Sequence, residues 1–260
     1  MISIMSADQG RRRPSVWFER FGVAFFYLML WAAAARAVGQ PLLLPSPAQV
    51  LSRLLTLLPE AGFWLTLLGT LGRTGAAYLL GILSAGVLGA LCCRFRAVDL
   101  LLSPLLSAVR ATPVTSFIVL ALVWLSSHAV PVLTGFLMTL PIVFSSLTQA
   151  VREIDPRLME VARIFHYGRK NTLFYVILPA ILPSVTQSCL AAIGLCWKAV
   201  VAAEVIGVPK FAVGSRLYEA KIYLETDSLL AWTLTIVLLS VVLEKLFRRA
   251  TARLMEVRHD

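Results

Sequence analysis

The chain has 260 residues, 58% of them hydrophobic and 15% charged, with a mean hydropathy of +0.81 and a formal net charge of +10. Those proportions exclude an ordinary water-soluble domain, in which about 25% of residues are charged. The excess charge does not mark a nucleic-acid binder, because Lys and Arg fall in short blocks between apolar runs and not on an interleaved basic and aromatic face.

A bilayer core takes about 20 predominantly apolar residues per helix. Six stretches meet that length: Phe21–Val38 and residues 68–93, 100–125, 129–150, 176–203 and 229–247. Arg11, Arg12 and Arg13 precede the first as they would in a signal peptide. No small-residue cleavage site is clear and the apolar run is long, so it reads as a retained helix. Hydrocarbon offers backbone groups no water, which leaves helices as the only form for runs this long. The expectation is an all-α polytopic bundle of about six transmembrane helices, one domain over residues 1–260.

Between the first two spans, residues 39–67 open with Pro41, Pro45, Ser46 and Pro47 and continue through Val50, Leu54, Leu57 and Leu58 at helical spacing. This predicts a short amphipathic helix lying on the membrane surface. The third span is interrupted by Pro104, Arg110 and Pro113. It reads either as a broken helix lining a pathway or as a surface helix followed by a short span. The segment 207–227, with Pro209 and Gly214, suits a cap over a pathway or an ordinary solvated loop.

Six spans put both termini on one side. Of the 24 Lys and Arg residues, sixteen then flank one face and six the other, with Arg110 and Lys198 inside spans. The basic face is the cytoplasmic one, so the tail 1–20, the loop 151–175 and the tail 248–260 are expected on the cytoplasmic side of the membrane, with 39–67 outside. Cys92, Cys93, Cys189 and Cys196 lie in or beside apolar runs and read as small packing residues. Cys189 and Cys196 are separated by about 10 Å of helical rise, too far for a disulfide.

The loop 151–175 is long for a cytoplasmic connection and reads as a docking element. Asp155 as N-cap, Pro156 at the first helical position and Glu160 in the early turns start a helix. Leu158, Ala162 and Phe165 share one face, and Gly168 can end it. Such a helix can insert its apolar face into a groove on a soluble partner, or it can rest on the lipid headgroups as a plain connector.

The run Glu160-Val161-Ala162-Arg163-Ile164-Phe165-His166-Tyr167-Gly168, continuing to Ile177-Leu178-Pro179, resembles the EAA loop of binding-protein-dependent ABC importer permeases. Leu44-Pro45-Ser46-Pro47 with Val50, Arg110 with Pro113, and Trp197-Lys198 with Ala203-Glu204 are similar to the nitrate, sulfonate and taurine branch of that family. The resemblance extends from about residue 43 to residue 249. It implies half of a type I importer: two permease copies, a cytoplasmic ATPase dimer and an external solute-binding protein in a lipid bilayer. It further implies that the loop helix couples to the ATPase through Glu160, Ala162, Arg163, Phe165, Gly168, Leu178 and Pro179. Val161 departs from the family's second alanine. His166 stands where the family has glycine, with Gly168 two residues later, which points to a shifted turn.

This chain carries no phosphate-binding loop ending in Lys-Ser or Lys-Thr, so it is expected to be no enzyme and to bind no cofactor, ATP and Mg being used by the partner ATPase. Ionisable residues within spans are costly and mark candidate pathway positions. Lys198 and Glu204, with Trp197 and Arg110, form that set. Six residues apart on one helix, Lys198 and Glu204 do not pair directly, so each is expected to face a water-filled cavity, a partner helix or the second subunit. Lys198 is the candidate attractive charge for an anionic solute such as a sulfonate, taurine or nitrate. Arg73 is expected to anchor in headgroups. The alternative of a secondary transporter suits broken spans, but no internal repeat is visible. A membrane-embedded enzyme lacks any cluster of metal-ligating side chains in the spans.

Overall fold

A computed structural model describes the backbone of residues 16–256 and the side chains of residues 21–251. Arg11, Arg12, Arg13, Arg258 and His259 lie outside the described residues, as do the side chains of Arg20 and Arg253. The helices are α1 (Val16–Val38), α2 (Pro47–Leu57), α3 (Ala61–Arg94), α4 (Arg96–Ala111), α5 (Val114–Trp124), α6 (Ala129–Arg152), α7 (Pro156–Ile164), α8 (Arg169–Thr172), α9 (Leu178–Gly207), α10 (Val213–Ile222) and α11 (Thr226–Glu256). Helices α1, α3, α6, α9 and α11 contain stretches long and apolar enough to cross a membrane. Helices α4 and α5 form a sixth, bent pair at 104° to each other.

The break in that pair falls at Thr112–Pro113, where both residues are extended. Pro104 and Arg110, expected to interrupt the span as well, sit inside α4 without ending it. A proline breaks a helix where its ring and missing N–H meet an unfavourable preceding residue, and Thr112 before Pro113 supplies that junction. Eleven residues give α5 a length of about 16 Å, too short to cross a bilayer unaided. The pair is therefore a bent element and not one straight span.

Helices α3, α6 and α9 make the centre. Their shared core contains Ala77, Tyr78 and Ala85 of α3, Leu140, Val143 and Phe144 of α6, and Ala192, Ile193, Cys196 and Val200 of α9. Close approach is set by residues lacking side-chain bulk. A Cβ at Gly135 would lie 2.7 Å from Val200 Cγ2, 2.8 Å from Ala77 Cβ and 3.0 Å from Cys196 Sγ. That single glycine therefore lets α6 touch both neighbours at one level. Four buried threonine hydroxyls are satisfied within their own helices. Thr74, Thr134, Thr139 and Thr148 each donate to the carbonyl four residues earlier, which removes the cost of a free hydroxyl in hydrocarbon.

The remaining helices pack around this triad unevenly. Of the first membrane-length stretch, Phe21–Val38, only 6% is buried, and α1 is tied down by Trp31 Nε1 donating to the Pro45 carbonyl at 3.2 Å. Helix α2 begins with a capping box between Ser46 and Gln49. Its Val50 and Leu57 are buried with Phe63, Leu67, Val213 and Trp232. The predicted surface helix thus packs on α3, α10 and α11 and is part of the bundle's second core.

Before α9 the chain passes through a π-helical turn, Leu173–Ile177, closed by Leu178 N–H on the Leu173 carbonyl. Pro179 and Pro183 lie in the first turns of α9. Each lacks a donor and pushes on the carbonyl four residues back, and a wider turn accommodates such a register change.

Gly135→Val should cost about 2 kcal/mol of bundle stability through overpacking, whereas Gly72→Ala, with nothing within 4 Å of the added carbon, should cost nothing. Melting of the detergent-purified protein, followed by size-exclusion chromatography, checks the pair. Equal midpoints would show that the α3–α6–α9 crossing does not depend on this glycine.

Candidate functional site

Three sets of side chains stand out along the bundle. The first lies at the end carrying α2 and α10, opposite α7. Glu204 of α9 has no exposed surface and is bound on both oxygens. Its Oε1 accepts from Arg73 Nη1 at 2.8 Å, and its Oε2 accepts from Thr70 Oγ1 at 2.9 Å and from the Gly214 N–H at 3.2 Å. Arg73 also donates to the carbonyls of Phe211 (3.0 Å) and Lys210 (2.7 Å), and its Nη2 lies 3.3 Å from His128 Nδ1. Thr70 Oγ1 accepts from the Val213 N–H at 2.9 Å. One carboxylate and one guanidinium thereby fasten α3, α9 and the start of α10 together.

This contact is close enough to need glycines. A Cβ at Gly69 would fall 2.2 Å from the Phe211 carbonyl oxygen, and one at Gly214 would fall 2.5 Å from Glu204 Cβ. The connecting residues Val208 and Phe211 take φ of +46° and +51°, conformations costly for side-chain-bearing residues. Arg73 is thus not a headgroup anchor. A guanidinium of 13% side-chain exposure beside a carboxylate of 0% gains more from the pair and two carbonyls than from the interface. The segment 207–227 is likewise no free solvated loop: Ala212, Val213, Gly214, Ser215 and Ala220 are buried.

The second set faces outward from the middle of α9. Ser184, Gln187, Ala191, Leu195 and Lys198 form an exposed stripe at helical spacing. Against it lies a cavity of about 500 Å³, lined by Gln187, Gly194 and Lys198 of α9 with Glu244 and Arg248 of α11. Lys198 has no ion pair among the described residues. A Cβ at Gly194 would come within 3.2 Å of Glu244 Oε1, so the absence of a side chain there lets α11's carboxylate approach α9.

Of the four predicted pathway residues, Lys198 lines the cavity against α11. Glu204 is closed inside the clamp. Trp197 is 1% exposed and turned into the bundle, its indole N–H without a hydrogen-bond partner among the described residues. Arg110 is exposed at the end of α4, where its Nη2 reaches Ser107 Oγ at 3.4 Å. Sequence reasoning misses Glu244 and Arg248. The signal for Glu244 is a carboxylate inside the apolar run 229–247, the same criterion that selects Lys198.

The third set is α7. Asp155 Oδ1 accepts from the Arg157 N–H at 2.8 Å and Pro156 opens the helix, as predicted. Its end differs from expectation. Tyr167 N–H donates to the Ala162 carbonyl at 2.9 Å and His166 N–H to that of Arg163 at 3.0 Å, a Schellman pair, with His166 itself at φ +51°. Gly168 instead caps α8 at φ −63°, ψ 161°. The turn is not shifted, because the two hydrogen bonds hold His166 in the left-handed region that a glycine would occupy more cheaply.

Within α7 only Ala162 is buried. Glu160 and Arg163 are exposed, and so are the apolar Leu158 (44%), Val161 (47%), Ile164 (73%) and the capping Phe165 (67%). Leu178 and Pro179 begin α9, half buried, beyond the π-helical turn. The seven predicted coupling residues are therefore carried by α7, its capping turn and the first turn of α9.

Comparison with known proteins gives consistent results. Residues 77–255 match the family model described as the binding-protein-dependent transport system inner membrane component. The chain is 27% identical over 238 residues to the taurine transport system permease protein TauC of Escherichia coli K12, covering 89% of this chain and 86% of that protein. It is 23% identical to the putative aliphatic sulfonates transport permease protein SsuC of Bacillus subtilis 168, covering 96% and 91%. Among solved structures, an amino acid ABC transporter superposes with a TM-score of 0.59 at 18% identity, covering 75% of this chain and 94% of that one.

Breaking the clamp from one side should be costly. Glu204→Leu leaves the Arg73 guanidinium without its counter-charge and is expected to destabilise by about 3 kcal/mol, while Arg73→Met in addition should recover part of that loss. A double-mutant cycle on thermal midpoints measures the coupling, and strict additivity would show that the two charges act independently.

Proposed function

The chain belongs to the family of binding-protein-dependent transport system inner membrane components, and on that premise we propose how its parts serve an ATP-driven importer. It is the multi-pass membrane permease subunit of an ABC transporter. The ATPase is a separate cytoplasmic subunit, and α7 is the element that meets it. The observation that carries this reading is the exposure of Leu158, Val161, Ile164 and Phe165 on a helix of nine residues. Four large apolar side chains on a hydrophilic loop are best used when a groove on a soluble partner covers them.

With α7 cytoplasmic, both termini share that side, in agreement with the sixteen-to-six distribution of basic residues. The α2–α10 end is then external and presents the clamped segment to a solute-binding protein. The exposed stripe on α9 faces a second copy of the chain, and the solute passes between them. Lys198 and Arg248 give this seam a positive character that only Glu244 offsets, which suits a small anion. The likeness to permeases named for taurine and for aliphatic sulfonates supports a sulfonate-like solute. ATP binding and hydrolysis in the partner, with its Mg, select between inward- and outward-open arrangements.

Two experiments test separate parts of this reading. Glu160→Lys should sharply reduce co-purification of the ATPase while the permease keeps its melting midpoint, since Glu160 is exposed on the docking face. Undiminished recovery and uptake would mean that α7 only rests on the bilayer. Lys198→Gln should lower uptake of a radiolabelled alkanesulfonate by roughly tenfold, the scale expected when one focusing charge is lost, with ATPase association intact. Unchanged uptake would remove Lys198 from the solute path.

A further inference from the structure

A second cavity, of about 380 Å³, opens where α3, α4 and α6 meet at the α7 end of the bundle. Arg94, Arg96 and Arg152 line it together with Cys93 and one carboxylate, Asp99. That carboxylate is already engaged on both oxygens: Ser103 Oγ donates to Oδ1 at 2.9 Å and Arg152 Nη2 to Oδ2 at 2.6 Å. Arg94 and Arg96 are exposed, and neither pairs with a carboxylate among the described residues. Arg94 instead lies over the Phe95 ring at 5.1 Å. The cavity thus holds two uncommitted guanidiniums beside one neutralised pair.

Its surroundings fix where it lies relative to lipid. Helix α4 is amphipathic, buries Leu106 in the central core and stands at 104° to α5. Leu100, Leu101 and Leu105 are 67%, 75% and 59% exposed on it, while Asp99 and Ser103 face the cavity network. The start of such a helix, beside the ends of α3 and α6, sits at the membrane interface, its exposed leucines toward the acyl chains. The guanidiniums at its start are then at headgroup depth, inside a concave pocket between helices. Guanidinium forks match phosphate oxygens in bidentate fashion, and basic pockets between membrane helices suit phosphate headgroups.

We propose that this corner binds the phosphate headgroup of an anionic phospholipid, held by Arg94 and Arg96 with its acyl chains beside Phe95 and Leu101. The site stands apart from solute transport and needs neither the ATPase nor a solute to be observed. Occupancy would brace the junction of α3 and α4 beside the Asp99–Arg152 pair, which ties α4 to α6.

The full chain is reconstituted in phosphatidylcholine nanodiscs with or without phosphatidylglycerol. Native mass spectrometry then counts the phosphatidylglycerol retained on release. Each surface cation contributes about fivefold to headgroup affinity, so R94Q/R96Q should retain it roughly thirtyfold less well. R169Q/K170Q removes the same charge from α8, at the same end of the bundle but outside the cavity, and should retain it as the unaltered chain does. Equal losses in the two variants would reduce the effect to general surface charge and overturn the site. Equal retention by R94Q/R96Q and the unaltered chain would also overturn it.

A second measurement needs no variant. Cys93 lines the cavity and is exposed, whereas Cys92 beside it is buried. Alkylation of Cys93 by a water-soluble maleimide, mapped by peptide mass, should slow several-fold in phosphatidylglycerol nanodiscs and be unaffected by inorganic phosphate in phosphatidylcholine alone. Equal protection by inorganic phosphate would assign the pocket to a soluble phosphorylated ligand and overturn the lipid. Absence of protection in either bilayer would overturn it as well.

Discussion

Apolar helix faces gain nothing from leaving hydrocarbon for one another, because acyl chains are as apolar as leucine. The bundle therefore depends on how closely backbones approach. Gly135 is the point where three helices meet in that approach, with α3 and α9 both within van der Waals reach of the missing Cβ. Alanines 77 and 192 and Cys196 extend the same small-residue contact up and down the crossing. With α3, α6 and α9 fixed in this way, every other element is placed relative to them. The weakly buried α1 and the outer part of α11 are the parts least governed by it.

Close packing of smooth helices sets distance but leaves register along the axis weakly determined. The Arg73–Glu204 pair supplies that register at one end. It costs the desolvation of two charges, offset by four further hydrogen bonds: Thr70 of α3 and the Gly214 N–H of α10 donate to Glu204, and Arg73 donates to the carbonyls of Lys210 and Phe211 before α10. A buried pair of this kind is a weak source of net stability and a strong source of specificity, since any slip of α9 against α3 leaves a charge unpaired. The turn conformations at Val208 and Phe211 persist because this network holds them.

Much of this was legible in the residues. Apolar length identifies five of the membrane helices, and Ser46-Pro47 and Asp155-Pro156 mark the starts of α2 and α7 with the caps the structure shows. These signals are local, so a sequence window contains them whole. Arg73 and Glu204 are 131 residues apart, and each alone resembles an interfacial or pathway charge. Only tertiary contact distinguishes a clamp from either. The same holds for His166, whose backbone conformation is imposed by two hydrogen bonds that outweigh glycine's preference for such a turn. Pro104 and Pro113 look alike in a window, and the difference between them is set by the residue before each and by what the freed carbonyl meets.

The order of elements along the chain also bears on mechanism. Helix α7 hangs between α6 and α9, two helices of the central core, and is joined to α9 by the turn 165–168, α8 and the π-helical turn. Thirty residues make α9 a rod of about 45 Å, with the half-buried Leu178 and Pro179 at one end, Lys198 past its middle and Glu204 one turn from its other end. A displacement imposed on α7 in the proposed docking arrangement would pass through the hydrogen-bonded turn 165–168, α8 and the π-helical turn, and from there α9 carries it to the cavity and the clamp as one continuous helix. The π-helical turn is the irregular link nearest α9 on that route. Its wider hydrogen-bond register can change at small cost, which makes it the place where motion of α7 is converted either into rotation of α9 or into nothing.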